Sequence, residues 1–222
     1  MVIYLDGADW ETMRRLHHVV QGFTTNPSLM RSAGIANYRD FAEGILSFTS
    51  KPISFEVFAD DMDGMERQAR EIASWGENVY VKIPVTNTKG ESTGLLTRKL
   101  GRDGIKLNVT AIFTFEQIET VSRNLIYAPA ILSIFCGRIA DTGRDPVPFI
   151  EKALRVKSSH TQVLWASTRE VYNVVQARQA GANIITMSPD LIRKIDLIGK
   201  DLAQYSLETV TQFYQDARGL TL

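Results

Sequence analysis

Short apolar runs recur along the chain at near-regular intervals, separated by turns and by longer amphipathic stretches. Eight of them have strand length and β-branched content: Val2–Leu5, Gly22–Thr24, Ile53–Phe58, Asn78–Ile83, Lys106–Thr110, Ala130–Phe135, Gln162–Ala166 and Asn183–Met187. Between most of them the apolar period lengthens to that of a helix. Met65, Ala69, Ile72 and Ala73 share one face of Met62–Ala73. Val171, Val174, Val175 and Ala177 are the apolar positions of Arg169–Ala180, and Val210, Phe213 and Tyr214 those of Leu207–Ala217. Eight strands alternating with helices predict βαβ units and a parallel sheet. Apolar residues fall in both alternation phases of the strands, as in a closed barrel wrapped by helices; an open doubly wound sheet is the alternative. The expected fold is α/β, a single (β/α)8 barrel with a C-terminal helix. No linker or composition break divides residues 1–222, and 207–222 reads as a helical tail.

Charge narrows the function classes. Lys+Arg 25 balances Asp+Glu 25, which argues against a broad nucleic-acid or anionic-membrane surface but not against a local basic pocket. Cys136 is the one cysteine and lies in an apolar stretch, so a buried structural thiol and a cytoplasmic setting are expected. The chain enters a strand at Val2 with no signal-like leader before it, and no apolar run is long enough to span a bilayer. No Gly-x-Gly-x-x-Gly follows the first strand, so no dinucleotide cofactor is indicated. His17, His18 and His160 form no ligand pattern with cysteines or carboxylates, so no metal is expected, and the His17-His18 pair reads as helix surface.

One residue stands out against the apolar pattern. Lys82 sits in Asn78-Val79-Tyr80-Val81-Lys82-Ile83-Pro84-Val85, which reads as a buried strand. An unpartnered ammonium there is costly, and its pKa should fall. A lysine pushed toward neutrality is the nucleophile that forms a Schiff base with a carbonyl. The plain alternative is a lysine at the strand end that snorkels into water.

In a (β/α)8 barrel the active site lies at the C-terminal ends of the strands. That rule selects Asp6, Asn26, Glu56, Lys82, Asn108, Thr110, Ser133, Phe135, Arg138, Ser167 and Arg169 as eleven site candidates, with Thr25 and Ser28 beside Asn26 after the second strand. An amine, two carboxylates and two guanidiniums at one mouth suit amine-based carbonyl chemistry on an anionic sugar.

At these residues the sequence resembles the transaldolase family, in particular its short-chain members, close relatives of fructose-6-phosphate aldolase. The matching stretches are Tyr4-Leu5-Asp6, Thr24-Thr25-Asn26-Pro27-Ser28, Phe55-Glu56-Val57, Val81-Lys82-Ile83-Pro84, Gly104-Ile105-Lys106-Leu107-Asn108-Val109-Thr110, Phe135-Cys136-Gly137-Arg138-Ile139 and Ala166-Ser167-Thr168-Arg169. No one of them is specific; their order, each in its own βα unit, is. The resemblance implies a TIM-type barrel with no metal or organic cofactor, acting on sugar phosphates. It makes Lys82 the Schiff-base nucleophile, Glu56 and Thr110 the pair that positions a water, and Asp6 the acid/base at the C4 hydroxyl. Asn26 and Asn108 would bind substrate hydroxyls, and Ser133 the dihydroxyacetone part. Arg138, Ser167 and Arg169 would hold the phosphate, helped by backbone donors of the helix after Ser167.

Structural alternatives stand beside these roles. Glu56 also reads as a salt bridge to Lys82, Asp6 as a helix cap (Asp9 is better placed), the asparagines as loop amides, and Arg169 as a solvated first-turn residue. Two positions separate transferase from lyase. Phe135 stands where the aldolase branch has a tyrosine, and Glu56 where it has a glutamine, so both resemble transaldolase. The resemblance therefore implies a transaldolase; a fructose-6-phosphate aldolase-type lyase and a non-catalytic ligand-binding barrel are the alternatives. It also implies a homo-oligomer, a pentamer or decamer, through the C-terminal helix. Ile134, Asp141-Thr142-Gly143-Arg144-Asp145 and Trp165 depart from the family pattern and bear on which substrate is taken.

Overall fold

The computed structural model describes residues 1–221; Leu222, the last residue of the expected tail, lies outside them. Eight parallel strands close into a barrel in sequence order: β1 (Val2–Asp6), β2 (Gly22–Thr24), β3 (Ile53–Glu56), β4 (Val79–Pro84), β5 (Leu107–Ile112), β6 (Ala130–Ile134), β7 (Thr161–Trp165) and β8 (Ile184–Met187). The closing pair aligns Tyr4 with Thr186 and Leu5 with Met187. The helices are α1 (Trp10–Leu16), α2 (Pro27–Ser32), α3 (Tyr38–Phe48), α4 (Met62–Ala73), α5 (Gly94–Arg102), α6 (Phe115–Asn124), α7 (Cys136–Ala140), α8 (Val147–Val156), α9 (Tyr172–Gln179), α10 (Pro189–Arg193) and α11 (Leu202–Asp216). None is long and apolar enough to cross a membrane. The closed barrel expected from the alternation is present, and the open sheet is excluded.

Strand periodicity explains where the core sits. Leu5, Phe23, Phe55, Val81, Val109, Leu132, Val163 and Ile185 point outward into one large core shared with the helices. The inward phase is different. Tyr4, Ile131, Leu164, Ala166 and Ile184 form a small plug inside the barrel, with Tyr80 and Phe135 against it. Burial, and then Tyr80, push the Tyr4 phenol up to about 12. Further toward the C-terminal ends the inward positions are polar: Thr24, Ser54, Lys82, Asn108, Ser133 and Thr186 are all buried. A polar ring above an apolar plug is a site floor.

Several boundaries differ from the pattern, each for a local reason. The third strand ends at Glu56, not Phe58, because Gln68 Oε1 takes the amides of Phe58 at 2.7 Å and Ala59 at 2.8 Å and turns the chain. The helix expected from Arg169 starts at Tyr172. Asn173 Oδ1 reaches back to the amides of Arg169 at 2.8 Å and Glu170 at 3.2 Å. Between β6 and β7 the chain forms two helices, α7 directly after β6 and α8 from Val147. The last helix starts at Leu202, five residues before Leu207, where Asp201 caps it by accepting from Gln204 N at 2.8 Å. His17 is the C-cap of α1 and is half-buried, bonded to Thr49 Oγ1 at 2.9 Å. Cys136 is buried as expected, which pushes its thiol up.

Candidate active site

The polar ring opens into a cavity of about 240 Å³ at the C-terminal mouth. Nine of the eleven sequence-selected residues line it: Asp6, Asn26, Lys82, Thr110, Ser133, Phe135, Arg138, Ser167 and Arg169. Glu56 and Asn108 lie behind that lining, Glu56 against Lys82 and Asn108 against Ser133. A larger groove of about 780 Å³ lies beside the mouth, lined by Met30, Ile35, Phe58 and others, and it holds none of the eleven. The candidate side chains gather at the smaller cavity.

Lys82 is 6% exposed, so burial was read correctly from the strand pattern. The lone amine was not. Lys82 Nζ lies 3.0 Å from Glu56 Oε2 and donates to Thr25 O at 2.9 Å. The register places Glu56 directly beside Lys82 on adjacent strands. The salt-bridge alternative for Glu56 is thus part of the site. Tyr38 Oη donates to Glu56 O at 3.1 Å, which ties α3 to the end of β3. Any proton leaving Lys82 has a carboxylate in hydrogen-bond reach.

Asp6 ends β1, and Asp9, not Asp6, caps α1, accepting from Thr12 N at 2.9 Å. Thr24 Oγ1 donates to Asp6 Oδ1 at 2.8 Å and lies 2.6 Å from Thr186 Oγ1. A hydroxyl has one proton, so with Thr24 committed to Asp6 the donor in the second contact is Thr186. Burial raises the Asp6 pKa; the Lys82 charge and the Thr24 hydrogen bond oppose it.

On the other side of Lys82, Ser133 Oγ donates to Asn108 Oδ1 at 2.7 Å, and Asn108 Nδ2 donates to Ser54 Oγ at 2.9 Å. Asn108 is fully buried. Asn26 caps α2, accepting from Leu29 N at 2.9 Å, while lining the cavity. Thr110 Oγ1 is buried and has no protein partner, a donor left over in the lining it shares with Lys82. The next residue, Ala111, has φ 59° at a shift of register between Val109 and Ile112. Ser167 also has a positive φ, 64°. Left-handed backbone at two non-glycine residues flanking the cavity is strain of the kind that accumulates at functional sites.

The anion end is built by α7 and the loop after β7. The guanidinium of Arg138 lies 5.1 Å from the centre of the Phe135 ring, whose other neighbour is Phe113 at 5.5 Å. Arg169 lines the cavity, but its fork is engaged by Asp141, with Nη2–Oδ2 at 2.7 Å. The backbone donors expected after Ser167 are not available from Arg169 and Glu170, since Asn173 holds both. Two of the departures bear on packing rather than substrate: Ile134 and Trp165 face the outer core. Thr24, Thr186, Ser54 and Tyr38 escaped the sequence reading as site residues, and Asp141 was noted only as part of a departing loop, not as the partner of Arg169. Thr24 stood in a matching stretch and an inward phase, which was the only signal for it.

The chain is similar to known proteins over most of its length. A family model described as Transaldolase/Fructose-6-phosphate aldolase matches residues 3–221. A "probable transaldolase" of Roseiflexus castenholzii is 39% identical over 191 residues, 84% of this chain and 85% of the relative. One from Clostridium acetobutylicum is 34% identical over 226 aligned positions, 98% of this chain and 99% of the relative. Among solved structures, 3-hexulose-6-phosphate synthase from Salmonella typhimurium superposes with TM-score 0.62 at 14% identity, covering 88% of this chain and 96% of that one. A tryptophan synthase alpha-subunit mutant from Pyrococcus furiosus gives 0.60 at 14% identity, covering 94% of each. At that identity these two show the barrel fold alone.

Proposed function

The chain belongs to the transaldolase/fructose-6-phosphate aldolase family, and on that premise we propose that it is a Schiff-base transaldolase moving a dihydroxyacetone unit between sugar phosphates. The observation that carries the reading is the buried Lys82 amine facing the cavity, with Glu56 at 3.0 Å and Asp6 and Thr110 at the same wall. In this reading Lys82 Nζ attacks C2 of a ketose, and the carbinolamine loses water to give an imine. Glu56, with a water shared with Thr110, takes and returns the protons of those steps. Ionised Asp6 accepts the C4 hydroxyl proton as the C3–C4 bond breaks. The bond's electrons move into C2=C3, neutralising the iminium and leaving an enamine on Lys82. The aldehyde half leaves, an acceptor aldehyde enters, and the steps reverse. No electron is gained or lost overall, and the sequence of steps asks for no cofactor. Asn26, Asn108 and Ser133 hold hydroxyls of the three-carbon unit, and Arg138, Arg169 and Ser167 face the distal anion. A cytoplasmic homo-oligomer is part of the same proposal.

A lyase of the same family is the second reading, and Phe135 bears on it. Its ring lines the cavity and carries no hydroxyl that could activate a water beside the enamine. Transfer is therefore favoured over release. Borohydride added during incubation with fructose 6-phosphate should fix one adduct, on Lys82, by peptide mass spectrometry. Lys82→Met should abolish it while the fold survives. Label on Lys106 or no label at all rules against the proposal, the latter favouring a binding barrel. Phe135→Tyr should raise dihydroxyacetone release without acceptor about ten-fold relative to transfer, a change of about 1.4 kcal/mol in partition. Wild-type protein that releases as fast as it transfers would make it an aldolase.

A further inference from the structure

Between the Asp6 carboxylate and the anion end, the cavity wall belongs to one strand. Asp6 ends β1, Ser167 follows β7, and the barrel order puts β8 between them. A six-carbon ketose phosphate with its C4 hydroxyl at Asp6 and its phosphate at Arg138 and Ser167 must lay C5 along that wall. Three cavity-lining hydroxyls stand there, on Thr168, Thr186 and Ser188. Two of them have spent their proton. Thr186 donates to Thr24 Oγ1, and Thr168 Oγ1 donates to Thr186 O at 3.1 Å. Ser188 is different. It follows β8 directly and caps the short helix α10, its Oγ accepting from Leu191 N at 3.4 Å. That contact is long for an N–H···O hydrogen bond, whose usual range is about 2.7–3.2 Å. Accepting it uses a lone pair and leaves the hydroxyl proton free. The backbone at Ser188 is extended, with φ −64° and ψ 158°, and Pro189 after it holds it so.

We propose that Ser188 is a specificity-determining residue: its free proton goes to the C5 hydroxyl, next to the phosphate-bearing carbon, so that the site selects ketose phosphates that carry it. The inference rests on the sugar-phosphate reading of this cavity and extends it by one hydroxyl. In that reading Asn26, Asn108 and Ser133 serve the three-carbon unit and Asp6 serves C4, which leaves C5 as the remaining hydroxyl of the chain. Leu164 and Ala166, also lining the cavity, offer it nothing through their side chains. A site that hydrogen-bonds a substrate hydroxyl rejects the analogue lacking it, because its own polar group is then left unpaired. Ser188 is half-buried, so water replaces a missing hydroxyl in part and the selection is modest.

The test compares two donors, fructose 6-phosphate and 5-deoxyfructose 6-phosphate, with erythrose 4-phosphate as the common acceptor and donor consumption followed by mass spectrometry. Both donors carry the same phosphate. Their different open-chain fractions cancel when each variant is compared with wild type on the same donor. Ser188→Ala should lower kcat/KM for fructose 6-phosphate about three- to ten-fold, the loss expected for one neutral hydrogen bond. It should change kcat/KM for the deoxy donor less than two-fold. Ser188→Thr keeps both the hydroxyl and the cap and should retain most of the activity toward fructose 6-phosphate. Equal loss on both donors would mean that Ser188 only caps α10, and it overturns the proposal. So does loss on neither donor, or a Ser188→Thr variant as impaired on fructose 6-phosphate as Ser188→Ala. Imine trapping at Lys82 with dihydroxyacetone, which has no C5, tests the reaction separately. Absence of that adduct removes the Schiff-base reading itself, whereas an adduct formed by wild type and variants alike confines a failure to Ser188.

Discussion

Asp6 has one carboxylate oxygen committed within the protein, and the commitment runs through two threonines. Thr186 donates to Thr24, and Thr24 donates to Asp6 Oδ1, so the other oxygen is the one left for a substrate hydroxyl. Burial raises the Asp6 pKa, and Thr24 opposes that by stabilising the ionised form. The sign for activity follows. If ionised Asp6 is the base for C3–C4 cleavage, kcat should fall with acid at a pH above the ordinary carboxylate range. Thr24→Val removes the donor, so the limb should move further up, by about one pH unit for one charge-assisted hydrogen bond. Thr186→Val acts only by loosening Thr24 and should move it in the same direction by less. A pH–rate profile in which Thr24→Val lowers the limb or leaves it in place contradicts the relay. The sign for stability is the reverse. A raised pKa in the fold means a contribution present below the unfolded value and lost as pH rises through the folded one. Asp6→Asn should therefore be inactive and more heat-resistant than wild type at neutral pH.

At the scale of elements, the site depends on a close approach between α7 and the loop after β7. A Cβ built on Gly137 would fall 1.6 Å from Ser167 O, a backbone atom that cannot swing away. Ser167 itself holds φ 64°. Gly137→Ala should thus force the two segments apart, at a cost of about 2–4 kcal/mol in unfolding free energy. It should weaken anion binding in parallel, as Arg138 and Ser167 lose their spacing. Unchanged denaturant stability would show that the approach is not needed. This contact marks what the sequence made legible and what it did not. Strand period, helix faces and the rule that barrel sites lie at strand C-termini sufficed to select eleven residues, nine of which line one cavity. They are local patterns, repeated eight times. The missed features join distant segments. Thr24 meets Thr186 only because β8 closes on β1, and Asp141 meets Arg169 only through the spacing of α7 and the β7 loop. The Glu56–Lys82 pair was legible only as an alternative, because the strand pattern shows what is buried and not which neighbour it faces across the sheet. The over-long third strand and the early start for α9 failed for a related reason: single side chains, Gln68 and Asn173, take the amides and divert the chain.

The whole molecule leaves one element uncovered. No described residue of α11 is buried, and Leu202, Leu207, Val210, Phe213 and Tyr214 are exposed by 80%, 61%, 59%, 66% and 68%. The helix therefore does not pack its apolar side chains on its own barrel. Fifteen residues make a helix about 22 Å long, near the length at which an isolated helix is marginal in water. Helical order there needs an apolar partner, and the barrel of the same chain does not supply it. Contiguous exposed apolar side chains of this kind mark an interaction surface. A second copy of the chain is the partner consistent with the family resemblance, and five or ten copies is the number it implies. Light scattering should therefore return a multiple of 24.9 kDa, and the melting temperature should rise with protein concentration. Phe213→Asp places a charge in the middle of the stripe, on a residue that touches no core of its own subunit. It should dissociate the assembly while the barrel's circular dichroism persists. Wild-type protein that scatters as a single chain of 24.9 kDa would leave α11 without the role argued for it. Its apolar stripe would then have to be stable in water, which the energetics of short helices disfavour.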